Sequence, residues 1–291
     1  MSFDKPITEI IKKRFSCRTY LDRPIADEMQ TRLMQYLSQP HEGPFGSHPR
    51  FKLVAAAEGD SKALKGMGTY GFIKNPAGFV IGAMQKGGKN LEDFGYVMEE
   101  IILHVTDLGL GTCWLGGTFT RSRFASKIAL RDGEIIPAAF SVGYCAKHPA
   151  RMDVTVRGVA GADQRLPWWK LFFQGEFNTP LERDITGGGY TLPLEMLRIG
   201  PSASNRQPWR IVKSGSVWHF YLQRTSNYPP RFLNALLRLA DLQRVDMGIA
   251  MAHFALTARE LGLDGGWVVD EPEIKKPNEL TEYVVSWVEE D

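Results

Sequence analysis

Two short stretches of this 291-residue chain occur twice, in the same order and at nearly the same distance. Gly43-Pro44-Phe45-Gly46-Ser47-His48-Pro49-Arg50-Phe51 is echoed by Gly200-Pro201-Ser202-Ala203-Ser204-Asn205-Arg206-Gln207-Pro208-Trp209. Leu108-Gly109-Leu110-Gly111-Thr112-Cys113-Trp114 is echoed by Leu261-Gly262-Leu263-Asp264-Gly265-Gly266-Trp267. The shared prolines, Pro49 and Pro208, lie 159 positions apart (208 − 49), and the shared glycines, Gly109 and Gly262, 153 (262 − 109). Loop changes explain the small difference. Common order and spacing point to duplication of one module. The expected organisation is one half over residues 1–158, an extended connection over 159–190, and a second half over 191–291. The connection is rich in Pro, Gly and charge, with a helical turn near Trp168 to Phe173.

Periodicity fills in the halves. Residues 7–14 read as an amphipathic helix on Ile7, Ile10 and Ile11, and a second helix opens after Pro24-Ile25-Ala26-Asp27. Phe51 to Ala57 and Gly78 to Ala83 read as short buried strands. Residues 91–109 read as a long helix, with Glu92, Glu99 and Glu100 among its polar positions, stopping at Gly109. Ile136 to Tyr144 is a further strand. The second half repeats the plan: a helix over Leu192 to Arg198, a turn over Gly200 to Trp209, strand material at Ile211 to Val212 and Trp218 to Leu222, helical pattern over 231–262, and a strand over Tyr283 to Val288. The fold class expected is α+β, with mixed, mainly antiparallel sheets and helices.

Composition narrows the classes of function. The formal net charge of +2 gives no global field for nucleic acid or an anionic membrane. The three cysteines, Cys17, Cys113 and Cys145, are far apart and odd in number, which argues against a disulfide framework or zinc cluster and fits a reducing compartment. The six histidines show no metal-ligand spacing. Met1 to Pro6 lacks an apolar leader segment, and no apolar run approaches the roughly 18–20 residues of a membrane span. A cytoplasmic protein without a metal is expected.

Three segments carry chemistry. Arg14-Phe15-Ser16-Cys17-Arg18-Thr19-Tyr20 sets two guanidinium groups around a hydroxyl, a pattern suited to an anion, since the planar fork aligns two donors; it equally fits two solvated surface arginines. Pro201-Ser202-Ala203-Ser204-Asn205-Arg206-Gln207-Pro208-Trp209 offers hydroxyls and amides to a polar heterocycle or ribityl chain, or simply makes a Ser/Asn turn. Leu108-Gly109-Leu110-Gly111-Thr112-Cys113-Trp114-Leu115-Gly116-Gly117 carries glycines that let backbone approach a flat ligand, or cap a helix before a turn. It is not a dinucleotide fingerprint, because it ends a helix instead of joining a strand to one.

Together and in this order, these segments resemble the nitroreductase family of FMN-dependent oxidoreductases, over roughly residues 7–157 and 190–291. The most specific pieces are Arg14-x-Ser16-x-Arg18 with Tyr20 and Pro24-Ile25, Pro201-Ser202-x-Ser204-Asn205-x-Gln207-Pro208-Trp209, and Leu108-Gly109-Leu110-Gly111-Thr112-x-Trp114. The two-copy layout is similar to a subgroup whose fused chain imitates a dimer. Family members are homodimers with FMN at the interface, the arginine–serine segment from one subunit and the Pro-Ser-x-x-Asn loop from the other. Here the first survives only in the first half and the second only in the second half, so the resemblance implies one flavin site per chain, in a monomer.

The resemblance assigns Arg14, Ser16 and Arg18 to the phosphate, ribityl and pyrimidine edge of FMN. It assigns Leu115, Gly116 and Gly117 to backbone contacts with N5 and O4, and Pro201, Ser202, Ser204 and Asn205 to the partner loop. Lys147 and Arg151 stand where the family keeps phosphate-binding cations, and either one fits. The glutamate often found near Gly116 in the family is missing. No catalytic side chain is implied beyond the cofactor's own chemistry. The implied activity passes hydride from NAD(P)H to a nitro, quinone or similar small-molecule acceptor, with Trp168, Trp169, Tyr228 and Phe232 as candidate substrate walls. The competing expectation is a relative that binds flavin or another ligand without turnover.

Overall fold

The protein is described by a computed structural model covering residues 3–55, 64–147, 158, 161, 164–183, 189–226 and 240–290. Helix α1 (Ile7–Lys13) buries the apolar stripe Ile7, Ile10 and Ile11, and α2 (Asp27–Ser38) buries Leu33 and Leu37. Strand β1 (Arg50–Ala55) pairs antiparallel with β2 (Gly78–Gln85). The long helix α3 (Asn90–Asp107) is followed by β3 (Gly111–Leu115), α4 (Arg121–Ile128), β4 (Glu134–Ile135) and β5 (Ala139–Gly143). The first sheet runs β1-β2-β5-β3, with β4 against β2, and all its pairs are antiparallel.

A 3₁₀ turn at Trp168–Lys170 leads into β6 (Phe172–Gln174). Then come α5 (Thr191–Arg198), β7 (Trp209–Ser214), β8 (Val217–Gln223), α6 (Leu242–Glu260), β9 (Gly265–Val268) and β10 (Thr281–Glu289). The second sheet runs β6-β7-β8-β10-β9, and only β6–β7 is parallel. The expected extended connection therefore does more than connect: Phe172–Gln174 supplies the edge strand of the second sheet. An α+β fold with mixed, mainly antiparallel sheets is what these elements build. No described helix is long and apolar enough to cross a membrane.

Helices α3 and α6 pack against each other more extensively than any other two described elements. Glycine makes this crossing close. A Cβ at Gly95 would overlap the Val245 carbonyl oxygen, and one at Gly248 would overlap the Glu92 carbonyl oxygen and stand 2.7 Å from the Tyr96 nitrogen. Burial by α6 and its neighbours takes in the polar positions of α3 as well. Glu92, Glu99 and Glu100 are all buried. Glu92 holds Arg244 of α6 through two hydrogen bonds, at 2.8 and 2.5 Å. Glu99 accepts from Trp114 Nε1 at 2.7 Å and faces His253 Nε2 at 2.9 Å. A helix buried on all sides places its charged groups where partners exist, because an unpaired buried charge is expensive.

Candidate functional site

Segment 16–20 leaves α1 and runs beside the first sheet. Cys17 N–H donates to Thr112 O (2.8 Å), Lys74 N–H to Arg18 O (2.8 Å), and Tyr20 N–H to Lys74 O (3.1 Å). The buried Tyr20 hydroxyl lies 2.8 Å from Ser141 Oγ. Backbone pairing on two sides thus fixes where Ser16 and Arg18 stand. At the end of β3, the Gly116 carbonyl accepts from Arg121 Nη2 at 3.1 Å. A Cβ at Gly116 would come within 2.5 Å of Leu242 Cδ1, so this turn packs directly on the first side chain of α6.

The facing loop, 201–207, is bent by three non-glycine residues in the left-handed region: Ser204 (φ 51°), Asn205 (φ 53°) and Gln207 (φ 49°). Such backbone persists only where surroundings over-determine it. Here Gln207 N–H donates to Ser202 Oγ at 2.8 Å, Ala203 N–H to Asp246 Oδ1 at 2.9 Å, and Leu166 N–H to Gln207 Oε1 at 2.8 Å.

Between these two walls lies a cleft of about 230 Å³, open to solvent. Ser16, Arg18, Gly116 and Gly117 line it from one side, and Pro201, Ser202 and Ser204 from the other. Leu242, Val245 and Ile249 of α6 give it an apolar wall. Seven of the residues singled out from the sequence thus meet around one space, although the chain separates them by up to 188 positions (204 − 16).

The remaining residues stand elsewhere. Leu115 is buried in the core. Arg14 lies outside the cleft lining: its side chain is 7% exposed, its Nε is 3.7 Å from Glu99 Oε1, and burial lowers its pKa against the pull of Glu99. It lines a second groove with Phe15, Arg23, Gly111 and Tyr144. Asn205 turns away from the cleft. Its Nδ2 donates to Gly161 O (2.6 Å) and Gln164 O (2.9 Å), and its Oδ1 accepts from Arg165 Nη1 (3.3 Å). It anchors the loop to the connection, because an amide at positive φ reaches nearby backbone more readily than a ligand across the loop. Lys147 is exposed and outside the cleft lining, and Arg151 falls outside the described residues. Trp168 donates to Leu181 O at 2.7 Å and packs on the core, and Trp169 is largely exposed; neither lines the cleft. Tyr228 and Phe232 lie outside the described residues.

Sequence reasoning missed Asp246 and the α6 wall, and it named Trp114, which also lines the cleft, only as part of a motif. Asp246 is 2% exposed and lines the cleft, and burial pushes its pKa well up. One signal was available: Asp246 and Asp93 are 153 positions apart (246 − 93), the offset of the repeated glycines.

The fold, with its two sheets and paired long helices, is that of an α+β protein with an open cleft lined from both parts of the chain. A family described as "Putative TM nitroreductase" matches residues 6–258, and the chain belongs to this nitroreductase family. Among solved structures it is similar to a putative nitroreductase from Thermotoga maritima MSB8, at 18% identity and a TM-score of 0.59, covering 99% of this chain and 95% of that one. It is also similar to an FMN-dependent nitroreductase from Clostridium difficile R20291, at 19% identity and a TM-score of 0.38, covering 48% of this chain and 88% of that one. A comparison with curated proteins returns no match.

Proposed function

We propose that the chain is two copies of one module fused into an internal dimer, with a single FMN-binding cleft between them. Support for the duplication comes from the strand paths. β1-β2-β5-β3 and β7-β8-β10-β9 follow the same order, each with a long helix after its second strand. Shifting Asn90–Asp107 and Gly111–Leu115 by 153 positions gives, to within a residue, Leu242–Glu260 and Gly265–Val268. The helix contact is reciprocal as well. Gly95 meets Val245 and Gly248 meets Glu92, and both 248 − 95 and 245 − 92 equal 153. Residue i touching j while j's counterpart touches i's is the signature of a two-fold interface. The boundaries at residues 158 and 191 belong to this proposal.

The observation that carries the cofactor reading is the convergence of both motif sets on one cleft. The residues present fit a flavin. Ser16, Ser202 and Ser204 offer hydroxyl donors, Arg18 a cation, Gly116 and Gly117 a backbone free of side chains, and Leu242, Val245 and Ile249 an apolar face for a flat ring. When bound, FMN supplies two-electron transfer between a reduced nicotinamide and an acceptor. Arg18 favours negative charge on the ligand edge it faces, and the apolar wall strengthens that effect by excluding water. The glycine turn brings backbone close to the ring. Lys147 or Arg151 serves the phosphate. The electron donor is NAD(P)H and the acceptor a nitro compound, quinone or similar small molecule, handled by a cytoplasmic monomer.

Fluorescence titration of the apoprotein with FMN tests the reading. Arg18→Ala should weaken binding by about 1.5–3 kcal/mol and Ser204→Ala by about 0.5–1.5 kcal/mol, the usual difference between charged and neutral hydrogen bonds. Wild-type affinity in both variants would refute the assignment of the cleft.

A further inference from the structure

Asp93 and Asp246 hold equivalent positions on α3 and α6, and each carboxyl receives backbone N–H groups from the loop in its own half. Asp93 uses both oxygens this way: Oδ1 accepts from Phe45 N (2.8 Å) and Oδ2 from Ser47 N (2.9 Å). Asp246 uses one. Its Oδ1 accepts from Ala203 N at 2.9 Å, while Oδ2 is buried with no hydrogen-bond partner. The first-half loop satisfies its carboxyl within the protein, whereas the second-half loop leaves one oxygen of a cleft-lining carboxyl unspent.

A buried polar atom without a partner costs about 1–3 kcal/mol, so its persistence in a cleft-lining residue needs a reason. We propose that Asp246 is a ligand-binding residue of the cleft, its Oδ2 donating a hydrogen bond to a carbonyl oxygen of the bound heterocycle. This rests on the flavin reading above.

The protonation state follows from the surroundings. Burial pushes the carboxyl well above the usual range; the hydrogen bond from Ala203 N–H pulls it back, and Asp241 near the start of the same helix adds to the rise. The nearest cation on its own helix, Arg244, is engaged by Glu92. A neutral acid has one acceptor and one donor oxygen. With the carboxyl neutral, as the proposal requires, Oδ1 accepts from Ala203 and Oδ2 is the donor. Asparagine has the same pattern, with Oδ1 accepting and Nδ2 donating. Alanine has neither.

The experiment compares FMN binding to the apoprotein of wild type, Asp246→Asn and Asp246→Ala near pH 7, together with infrared spectra of the bound flavin. Asp246→Asn should bind within about twofold of wild type, and Asp246→Ala about three- to tenfold more weakly, the loss of one neutral hydrogen bond. The flavin carbonyl bands should coincide in wild type and Asp246→Asn and move to higher frequency in Asp246→Ala. If Asp246→Asn loses as much affinity as Asp246→Ala, the carboxyl is ionised and accepts from the ligand, and the proposal is overturned. Unchanged carbonyl bands in Asp246→Ala overturn it too. Both results leave the flavin reading standing, whereas wild-type protein that binds no FMN overturns that reading and this inference with it.

Discussion

Gly248→Ala puts one methyl group at the crossing of α3 and α6, where the structure leaves no room. The new Cβ would overlap the Glu92 carbonyl oxygen and stand 2.7 Å from the Tyr96 nitrogen and 2.9 Å from the Glu92 carbonyl carbon. All three are backbone atoms, so no side chain can swing aside; the helices must separate or bend. In an open helix, alanine would stabilise over glycine by about 0.8–1.0 kcal/mol. Overpacking costs about 1–3 kcal/mol, and more where rigid backbone must move. The net expectation is destabilisation of about 2 kcal/mol. Gly95→Ala should cost a similar amount, because it meets the backbone of Val245 in the reciprocal way. Urea unfolding reads both, and Gly88→Ala is the control, since a Cβ there has nothing within 4 Å. FMN affinity should fall in Gly248→Ala as well, because Val245, Asp246 and Ile249 of the same helix wall the cleft. A Gly248→Ala protein as stable as the Gly88→Ala control would refute the close crossing. A large asymmetry between the two interface variants would refute the two-fold relation between the halves.

Glu100 gives a pH prediction. Burial pushes its carboxyl from 4.5 up to about 7, against the opposing pull of Arg259. Between those values the folded chain holds a proton that the unfolded chain releases, so this group's contribution to stability falls as pH rises from about 4.5 to about 7, by about 3 kcal/mol in all. Glu100→Gln should therefore gain on wild type between pH 5 and pH 8 in thermal unfolding; a gap that shrinks would refute the burial argument. Asn205→Ala should cost about 1–3 kcal/mol in urea unfolding and quicken proteolysis between residues 158 and 166, since it removes the bonds to Gly161, Gln164 and Arg165. Wild-type behaviour would mean that Asn205 does not anchor the loop.

The sequence exposed those elements whose side chains repeat with a clear period. Helices α1, α3 and α5 and strands β2, β8 and β10 fall close to where their apolar residues put them. Strands β3 and β9 were hidden because Gly111 and the Gly265-Gly266 pair read as turns, and their strand character depends on pairing with β5 and β10. Helix α4 carries only Phe124 and Ile128 as buried anchors among charged and small residues, too few to stand out. The partners of the α3 carboxylates were not legible, because groups that meet them, such as Arg244, stand far away in the chain. At the cleft, the residue types on both walls were legible, but side-chain direction was not. Arg14 and Asn205 belong to the right segments and point elsewhere, and Asp246 sits in a helix with no local motif.

The central claim is that one chain carries one cofactor cleft built by both of its halves. Its most direct test is the number of FMN molecules bound per chain at saturation, measured on protein whose mass in solution is followed by light scattering in the same sample. The account predicts one FMN on a monomer of 32.7 kDa. Two flavins per chain, none, or binding that appears only when the protein dimerises would contradict it.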